Sequence, residues 1–499
     1  MKNNIHKIFS HYWDALIASS LVFVLIALFT QHSGIGISPD SVQYLSVANH
    51  MVERFSFTDF NNEPFVLFPL GYPIFLALIK IVFPFSIKAF LPILNALIFA
   101  SILFCCSAIL RESIKMNGFT RLLILLLLAC SPALLEVYTM LWSETLFILI
   151  SLFFVLAAKK YVYLSSISSL LLLACIAAIG FSVRYVGIVF VLTGGVLILF
   201  NPQLKFIQKL LHGLLMGFLG ASLAIFNLVR NTMVSGTYTG VREKSIRGFG
   251  DNLQDIGAVI GYWFPIPEAQ QHLAVVVLIL FLLIAFSLVV YHCIQAQYYH
   301  RYSTIIALFL LVYIFFMLIT ASISRFETLS SRLLSPIFIP IILLLAFLVE
   351  RLMIGKIKTI RVLISLAFLG FYGFVQFHQY KLNRDTWEGV GFAGIPGYSE
   401  DQWTRSPMVA FIKKDLSKYQ PPVFANANDA LYYLTGINTV ALPHKDIPKE
   451  IAQFKTNQHF YLIWFFYGEN DDLIDLAFIL QQKKPIASWQ FKDGIIYRF

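Results

Sequence analysis

Pro69-Leu-Gly-Tyr-Pro-Ile-Phe-Leu-Ala-Leu-Ile-Lys-Ile-Val-Phe-Pro84 decides how the whole chain threads a bilayer. The stretch is apolar, but Gly71 and Pro73 break its start and Pro84 closes it. A crossing helix needs about 20 residues, and this run is shorter. Eleven other apolar runs surround it: 13–30, 88–110, 121–135, 143–158, 162–181, 185–200, 207–229, 273–295, 303–321, 334–349 and 360–378. The chain is 58% hydrophobic and 13% charged, with mean hydropathy +0.75. A soluble domain carries about 25% charged residues, so the composition describes a polytopic membrane protein.

Loop charge settles the reading of 69–84. Suppose that it does not cross and that the N-terminus is cytoplasmic. Loops 1–12, 111–121, 159–162, 201–209, 296–302 and 350–361 then face the cytoplasm and hold fourteen Lys and Arg. The much longer loops outside hold nine. Short cytoplasmic loops are enriched in Lys and Arg. If the segment crossed, twelve of the fourteen would face outward, so a juxtamembrane helix is expected. The first run, Trp13–Thr30, lacks a small-residue cleavage site and is expected to be a signal anchor.

Residues 1–378 thus form a transmembrane module with its first external loop at 31–87. Residues 379–499 form an external α/β domain. There, Val423–Ala425, Thr439–Leu442 and Phe460–Phe466 have strand patterns, Asp429–Thr435 and Asp471–Gln481 helix patterns, and Ser488–Phe499 a hairpin turning at Lys492-Asp-Gly. The fold class is mainly α, with about eleven spans plus this small domain. All five cysteines lie in or beside apolar runs, so no disulfide framework is indicated. The net charge of +10 is scattered between spans, which points to membrane topology and away from nucleic acid. No Walker A, GxGxxG or Gly-x-Ser-x-Gly motif is present, and His50, His272 and His378 show no metal-ligand spacing.

The charged residues with chemical potential all fall on the external face of this topology. Asp40 opens the amphipathic stretch Asp40–Met51 after a Ser-Pro pair. It serves either as the helix N-cap or as a base that takes a proton from a hydroxyl. Glu144, in Trp142-Ser-Glu-Thr, sits where Ser143 would cap a helix and a carboxylate suits the positive end of the dipole. Arg184 occupies a short turn between two runs and reads as an interfacial anchor or a phosphate ligand. Arg325 and Arg332 precede the tenth run in Ser-Arg-Phe-Glu-Thr-Leu-Ser-Ser-Arg-Leu-Leu-Ser-Pro, with Glu327 available to pair with either. Arg242, Lys244 and Arg247 form a basic cluster in loop 230–272, expected to be a solvated flexible segment or else a lid over an anionic donor.

The order of apolar span, acidic turn, amphipathic helix and Pro-Leu-Gly-Tyr-Pro before an apolar run resembles the first external loop of the GT-C glycosyltransferases. These polytopic enzymes use lipid-phosphate sugar donors. The resemblance covers the layout of about residues 10–350; Asp40 stands alone where many relatives carry Asp-Glu, and Leu333 replaces an aromatic in the Arg332 segment. It implies an enzyme of a bacterial inner membrane that moves a sugar from a polyprenyl-phosphate donor to an external glycan, lipid or protein, with inversion. By the same resemblance Asp40 and Glu144 are catalytic, with a divalent metal allowed at Glu144. Arg184, Arg325 and Arg332 bind the donor phosphate, and Tyr44 and Tyr72 line the donor and acceptor pocket. The rival classes are a transporter or lipid flippase, and a non-catalytic scaffold. A transporter places charge near mid-span and shows repeated halves; an enzyme of this kind gathers charge at one face.

Reporter fusions after Lys160 and at Phe499 test the topology. We expect a cytoplasmic signal at the first and an external signal at the second, and an external signal at Lys160 rejects the assignment.

Overall fold

The computed structural model describes residues 11–83, 87–113, 117–240, 244–325, 328–419, 422–468 and 472–499. Pro84, Arg242, Glu327 and Asp471 lie outside the described residues. Packing divides the chain into two compact units. One holds Met1–Phe29, Val66–Phe75 and Lys88–Glu388; the other holds Thr30–Phe65, Leu76–Ile87 and Gly389–Phe499.

The helices, in chain order, begin with α1 (Trp13–Thr30), α2 (Pro39–Arg54), α3 (Gly71–Val82) and α4 (Ile87–Ser113). Next come α5 (Gly118–Ala129), α6 (Pro132–Tyr138), α7 (Glu144–Leu164), α8 (Ile167–Val183), α9 (Ile188–Leu199) and α10 (Phe206–Ser235). They are followed by α11 (Phe249–Trp263), α12 (Gln271–Ile294), α13 (Tyr302–Ile323), α14 (Ser331–Met353) and α15 (Lys358–Ala393). Eight helices among the described residues are long and apolar enough to cross a membrane, and the bent pair α5–α6 makes a ninth. The 55° bend falls where Pro132 has no backbone N–H to donate.

Helices α8 and α9 are shorter, yet they run as a hairpin alongside α7. At one end Asn201 donates to Ser165 Oγ at 2.9 Å. At the other end Arg184, between α8 and α9, reaches Glu144 at the start of α7. Phe190 of α9 stacks on Phe147 and Phe154 of α7 and on Phe309 of α13, with centroids 5.0, 4.9 and 5.8 Å apart. Every expected apolar run is therefore helical. Helix α15 runs past His378 to Ala393.

A buried carboxylate fixes the threading of the first helices. Asp14, on the first turn of α1, is fully buried. It accepts from Arg111 Nη2 at 2.7 Å and Arg121 Nε at 3.0 Å, so the start of α1 lies level with the end of α4. Asn95, early on α4, donates to the carbonyls of Tyr138 and Met140, both at 2.9 Å, at the end that carries Glu144. An even number of crossings, here none, separates α1 from α4. Helix α3 has 12 residues, or about 18 Å, against a hydrocarbon core of about 30 Å, as the charge count required.

Gly71 shows why the Pro69–Pro73 motif has its sequence. A Cβ there would stand 2.5 Å from the Ser182 carbonyl oxygen, so only glycine lets the start of α3 meet the end of α8. The neighbouring residue Tyr72 is buried.

The second unit is built on a five-stranded mixed sheet. Its strands are β1 (Val423–Ala425), β2 (Val440–Ala441), β3 (Tyr461–Phe465), β4 (Ala487–Gln490) and β5 (Gly494–Arg498), in the order β2-β1-β3-β5-β4. Strand β1 pairs parallel with β2 and β3, and β5 pairs antiparallel with β3 and β4. Phe424, Phe454, Phe460, Leu462 and Phe499 close one face. Around the sheet lie α16 (Asp401–Thr404), α17 (Pro407–Lys414), α18 (Asn428–Thr435), α19 (Pro448–Thr456) and α20 (Leu476–Gln482). Of these, α16, α17 and α19 have no counterpart in the sequence expectations.

The segment before α2 belongs to this unit. Tyr398 N–H donates to the Ile37 carbonyl at 2.7 Å, and Ile37 N–H donates to Ser399 Oγ at 3.1 Å. Gly397 permits this approach: its φ is +107°, and a Cβ would stand 2.4 Å from the Ile37 oxygen.

Gly71→Ala is expected to destabilise the protein by about 1–3 kcal/mol, because backbone must move to admit the methyl. Thermal melting of the purified protein measures this; an unchanged melting temperature would show that the contact relaxes freely.

Candidate functional site

Glu144 is the hub of the first unit. It is the first residue of α7 and is fully buried. Its Oε1 accepts from Arg184 Nη1 at 2.6 Å and from Arg332 Nε at 2.7 Å. Ser143 occupies the N-cap position but makes no side-chain cap. Its hydroxyl donates to Glu144 Oε2 at 3.4 Å and accepts from Arg184 Nη1 at 2.9 Å. The Arg332 guanidinium lies 4.3 Å above the Trp142 ring, which presents a negative face to the cation. Each arginine side chain keeps some exposure, 16% for Arg184 and 14% for Arg332. Before Glu136 is counted, these three groups carry a net charge of +1, and the forks are fixed in place with part of each exposed.

Local sequence builds this arrangement. Arg184 is the extended residue that ends α8, just before a single 3₁₀ turn at Tyr185–Gly187. Arg332 is the second residue of α14 and Glu144 the first of α7, so three helix ends meet. Tyr72 hydrogen-bonds Thr145, within the field of Glu144. Tyr313 donates to the Leu333 carbonyl at 2.7 Å.

Glu136, on α6, joins the group and was not singled out from the sequence. It hydrogen-bonds Ser331, whose hydroxyl also accepts from Trp263 Nε1 at 3.0 Å. Its charge acts on Arg332 and Glu144, and its side chain remains open to solvent. The available signal was its place in the short loop 131–142, beside Glu144.

Asp40 belongs to the second unit. Ser38, not Asp40, caps α2: Ser38 Oγ accepts from Ser41 N–H at 3.4 Å, and Ser41 Oγ accepts from Ser38 N–H at 3.0 Å. Pro39 follows as the first helical residue, so Asp40 stands second and is half-buried. Its charge acts on Tyr398 and Asp429, and Tyr398 donates its hydroxyl to Asp429 Oδ2 at 2.8 Å. Burial pushes the Asp429 carboxyl above the usual range, and the charge of Asp40 adds to that, against the lowering effect of the Tyr398 hydroxyl. Burial and the two carboxylates likewise raise the Tyr398 phenol. Tyr44 is buried in α2 of the same unit.

Arg325 lies in the segment between α13 and α14, next to Ser324, which bridges Lys244 in antiparallel fashion. The basic segment is not a free loop where it is described. Ser245 donates to the Ala321 carbonyl at 2.7 Å, Arg247 pairs with Asp255 at 2.6 Å, and α11 buries Ile256, Ile260 and Trp263. Among the described residues no group of three His, Cys, Asp or Glu side chains is arranged to hold a metal ion.

Solved structures share this architecture over nearly the whole chain. ArnT from Cupriavidus metallidurans bound to undecaprenyl phosphate superposes with a TM-score of 0.57 at 10% identity, over 97% of each chain. The fold is that of the GT-C glycosyltransferases. ArnT in the apo state gives 0.58 at 11% identity, over 99% of this chain and 98% of that one. The archaeal oligosaccharyltransferase AglB from Archaeoglobus fulgidus, in complex with an inhibitory peptide and a dolichol-phosphate, gives 0.53 at 11% identity, over 92% of this chain and 70% of its own. No family model matches the sequence, and no curated protein matches it significantly.

Glu144→Gln is expected to destabilise the first unit by roughly 3 kcal/mol. Two partly buried guanidinium groups would lose their common counter-charge, and the partial exposure of both places the cost at the low end of the range. Adding Arg332→Leu should recover part of the loss. A double-mutant cycle by thermal or denaturant melting checks this; additive losses would mean that the three groups do not act together.

Proposed function

We propose that this protein is a membrane glycosyltransferase that moves a sugar from a polyprenyl-phosphate donor to a hydroxyl-bearing glycan, lipid or protein outside the inner membrane. The observation that carries the reading is the Glu144–Arg184–Arg332 cluster, set at three helix ends in a GT-C fold. Guanidinium forks bind phosphate oxygens two at a time and do not lose charge near neutral pH. Glu144 holds both forks in register, which is the preorganisation that stabilises charge developing on a leaving phosphate.

The reaction we assign is a single displacement. The acceptor oxygen bonds to the anomeric carbon, the bond from that carbon to the phosphate oxygen breaks, and the configuration inverts. Asp40 takes the acceptor proton, since a hydroxyl is a weak nucleophile until its proton is accepted. Polyprenyl phosphate leaves on Arg184 and Arg332. Arg325 is a further phosphate ligand in this reading, and Tyr44 and Tyr72 are assigned to donor and acceptor binding. The rival transporter reading expects charge lining a mid-span path. Instead, the buried ion pairs of Asp14 and Glu144 sit at helix ends.

A panel of polyprenyl-phosphate sugars offered to purified protein tests the proposal. Arg332→Ala should weaken donor binding about tenfold or more, the loss expected for one charge-assisted contact. Arg332→Lys should restore only part, because the fork is gone. Asp40→Asn should bind donor normally and lose most transfer. Normal transfer in Asp40→Asn together with loss in Glu136→Gln would move the base to Glu136. Unchanged donor affinity in both Arg184→Ala and Arg332→Ala would remove the phosphate from this cluster.

A further inference from the structure

A second polar site lies at the other end of the same helices, in the first unit. Lys159 stands fifteen residues after Glu144 on α7, and Arg351 nineteen after Arg332 on α14. At 1.5 Å per residue those separations are about 22 and 28 Å, close to the thickness of the hydrocarbon core. At this end a cavity of about 1100 Å³ draws its polar wall from the described residues of loop 111–121, from loops 296–302 and 350–361, and from the end of α7. The sequence reading placed all four on one side of the membrane.

The cavity has the build of a lipid site. Its apolar wall is a furrow between Phe281, Ile284 and Leu288 of α12 and Leu344, Phe347 and Leu348 of α14. Ile284 is half exposed at the outer side of that furrow. Lys159, Arg301, Arg351 and Arg361 make the polar rim against Glu112 and Glu350, a net charge of +2. Glu112 already answers Lys159 at 3.4 Å. The guanidinium carbons of Arg301 and Arg351 lie over Tyr298 and Tyr291, 4.3 and 5.3 Å from the ring centroids.

His292 supplies an independent pointer. It lines the cavity and is 1% exposed. Its Nδ1 lies 2.7 Å from Thr304 Oγ1, and that hydroxyl gives its proton to the Tyr298 carbonyl at 3.2 Å. Thr304 must therefore accept, so Nδ1 carries the proton and Nε2 keeps a lone pair. Nε2 is buried with no hydrogen-bond partner among the described residues. A buried acceptor of this kind is costly to leave unmet, and a hydroxyl on a bound molecule would meet it.

We propose that this cavity binds an anionic phospholipid whose headgroup carries a hydroxyl, such as phosphatidylglycerol. One acyl chain lies in the furrow between α12 and α14. The phosphate rests among Arg301, Arg351 and Arg361, and a headgroup hydroxyl donates to His292 Nε2. The site takes no part in sugar transfer and stands whether or not that reading holds.

The test is thermal stabilisation of the purified full chain in detergent by added lipid. Phosphatidylglycerol should stabilise at the lowest concentration. Phosphatidylmethanol, with the same charge and no headgroup hydroxyl, should need about fivefold more, the worth of one hydrogen bond. Phosphatidylcholine and soluble glycerol 3-phosphate should have little effect. The double variant Arg301→Ala/Arg351→Ala should raise the half-saturating phosphatidylglycerol concentration about tenfold. His292→Leu should abolish the preference for phosphatidylglycerol over phosphatidylmethanol. If His292→Leu does not fold, equal potency of those two lipids on the unaltered chain refutes the headgroup assignment. Equal stabilisation by phosphatidylcholine, equal stabilisation by glycerol 3-phosphate, or an unaltered response in the double arginine variant would overturn the site.

Discussion

A carboxylate taken out of water must be met by positive charge, and this chain meets that demand twice in the same way. Asp14 and Glu144 are both fully buried, and each is held by two arginines from other helices. Removing an ion from water costs several kcal/mol, and only good geometry returns it. Three helix ends must therefore arrive together in each case. The Asp14 group gathers the start of α1, the end of α4 and the start of α5. The Glu144 group gathers the end of α8 and the starts of α7 and α14. Between these two fixed levels the apolar helices have little freedom in register. Aromatic stacking around Phe190 then fills the interior between them.

The two groups differ in what surrounds them. Arg111 stacks on Tyr12, and its Nε donates to Ser107 at 3.2 Å, so the Asp14 group is tied up locally and reads as structural. Beside the Glu144 group stands the solvent-open carboxylate of Glu136, whereas the arginines of the two groups are similarly exposed, between 12% and 16%. Both ion pairs sit at helix ends, and Phe154, Phe190 and Phe309 stack on one another between the helices.

Much of this was legible from the order of residues. The apolar runs became helices, α3 stayed short of a crossing, and β1, β3 and the β4–β5 hairpin formed where strand patterns stood. Arg184, Arg332 and Glu144 were recognised singly, but nothing local announces that arginines 40 and 188 positions beyond Glu144 share one of its carboxylate oxygens. Asp14 was hidden for the opposite reason: a lone acid inside an apolar run carries no mark of the arginines that will meet it. Asp40 was placed two residues off as a cap, because Ser38 and Ser41 exchange hydrogen bonds and displace it to the second helical position. Loop 230–272 looked solvated from its charges, whereas Ile256, Ile260 and Trp263 at helical spacing carried the signal for α11. The shared surroundings of Asp40, Tyr398 and Asp429 depend on Gly397 lying against Ile37, a contact that no sequence window contains.

That last contact also sets a clock. Ile37 and Ser399 are separated by 362 positions, and ribosomes add about 5–20 residues per second. The acidic turn at Asp40 leaves the ribosome roughly 20–70 s before the glycine segment that will pack on it. Non-local pairing is slow to form even in a complete chain, because the loop must close first. For most of its synthesis, then, the nascent protein carries an acidic turn that lacks its partner, and it acquires the finished surroundings of Asp40 only as the last fifth of the chain is made. A message truncated before codon 397 would yield a membrane-inserted product with every proposed phosphate ligand in place and Asp40 without its native neighbours.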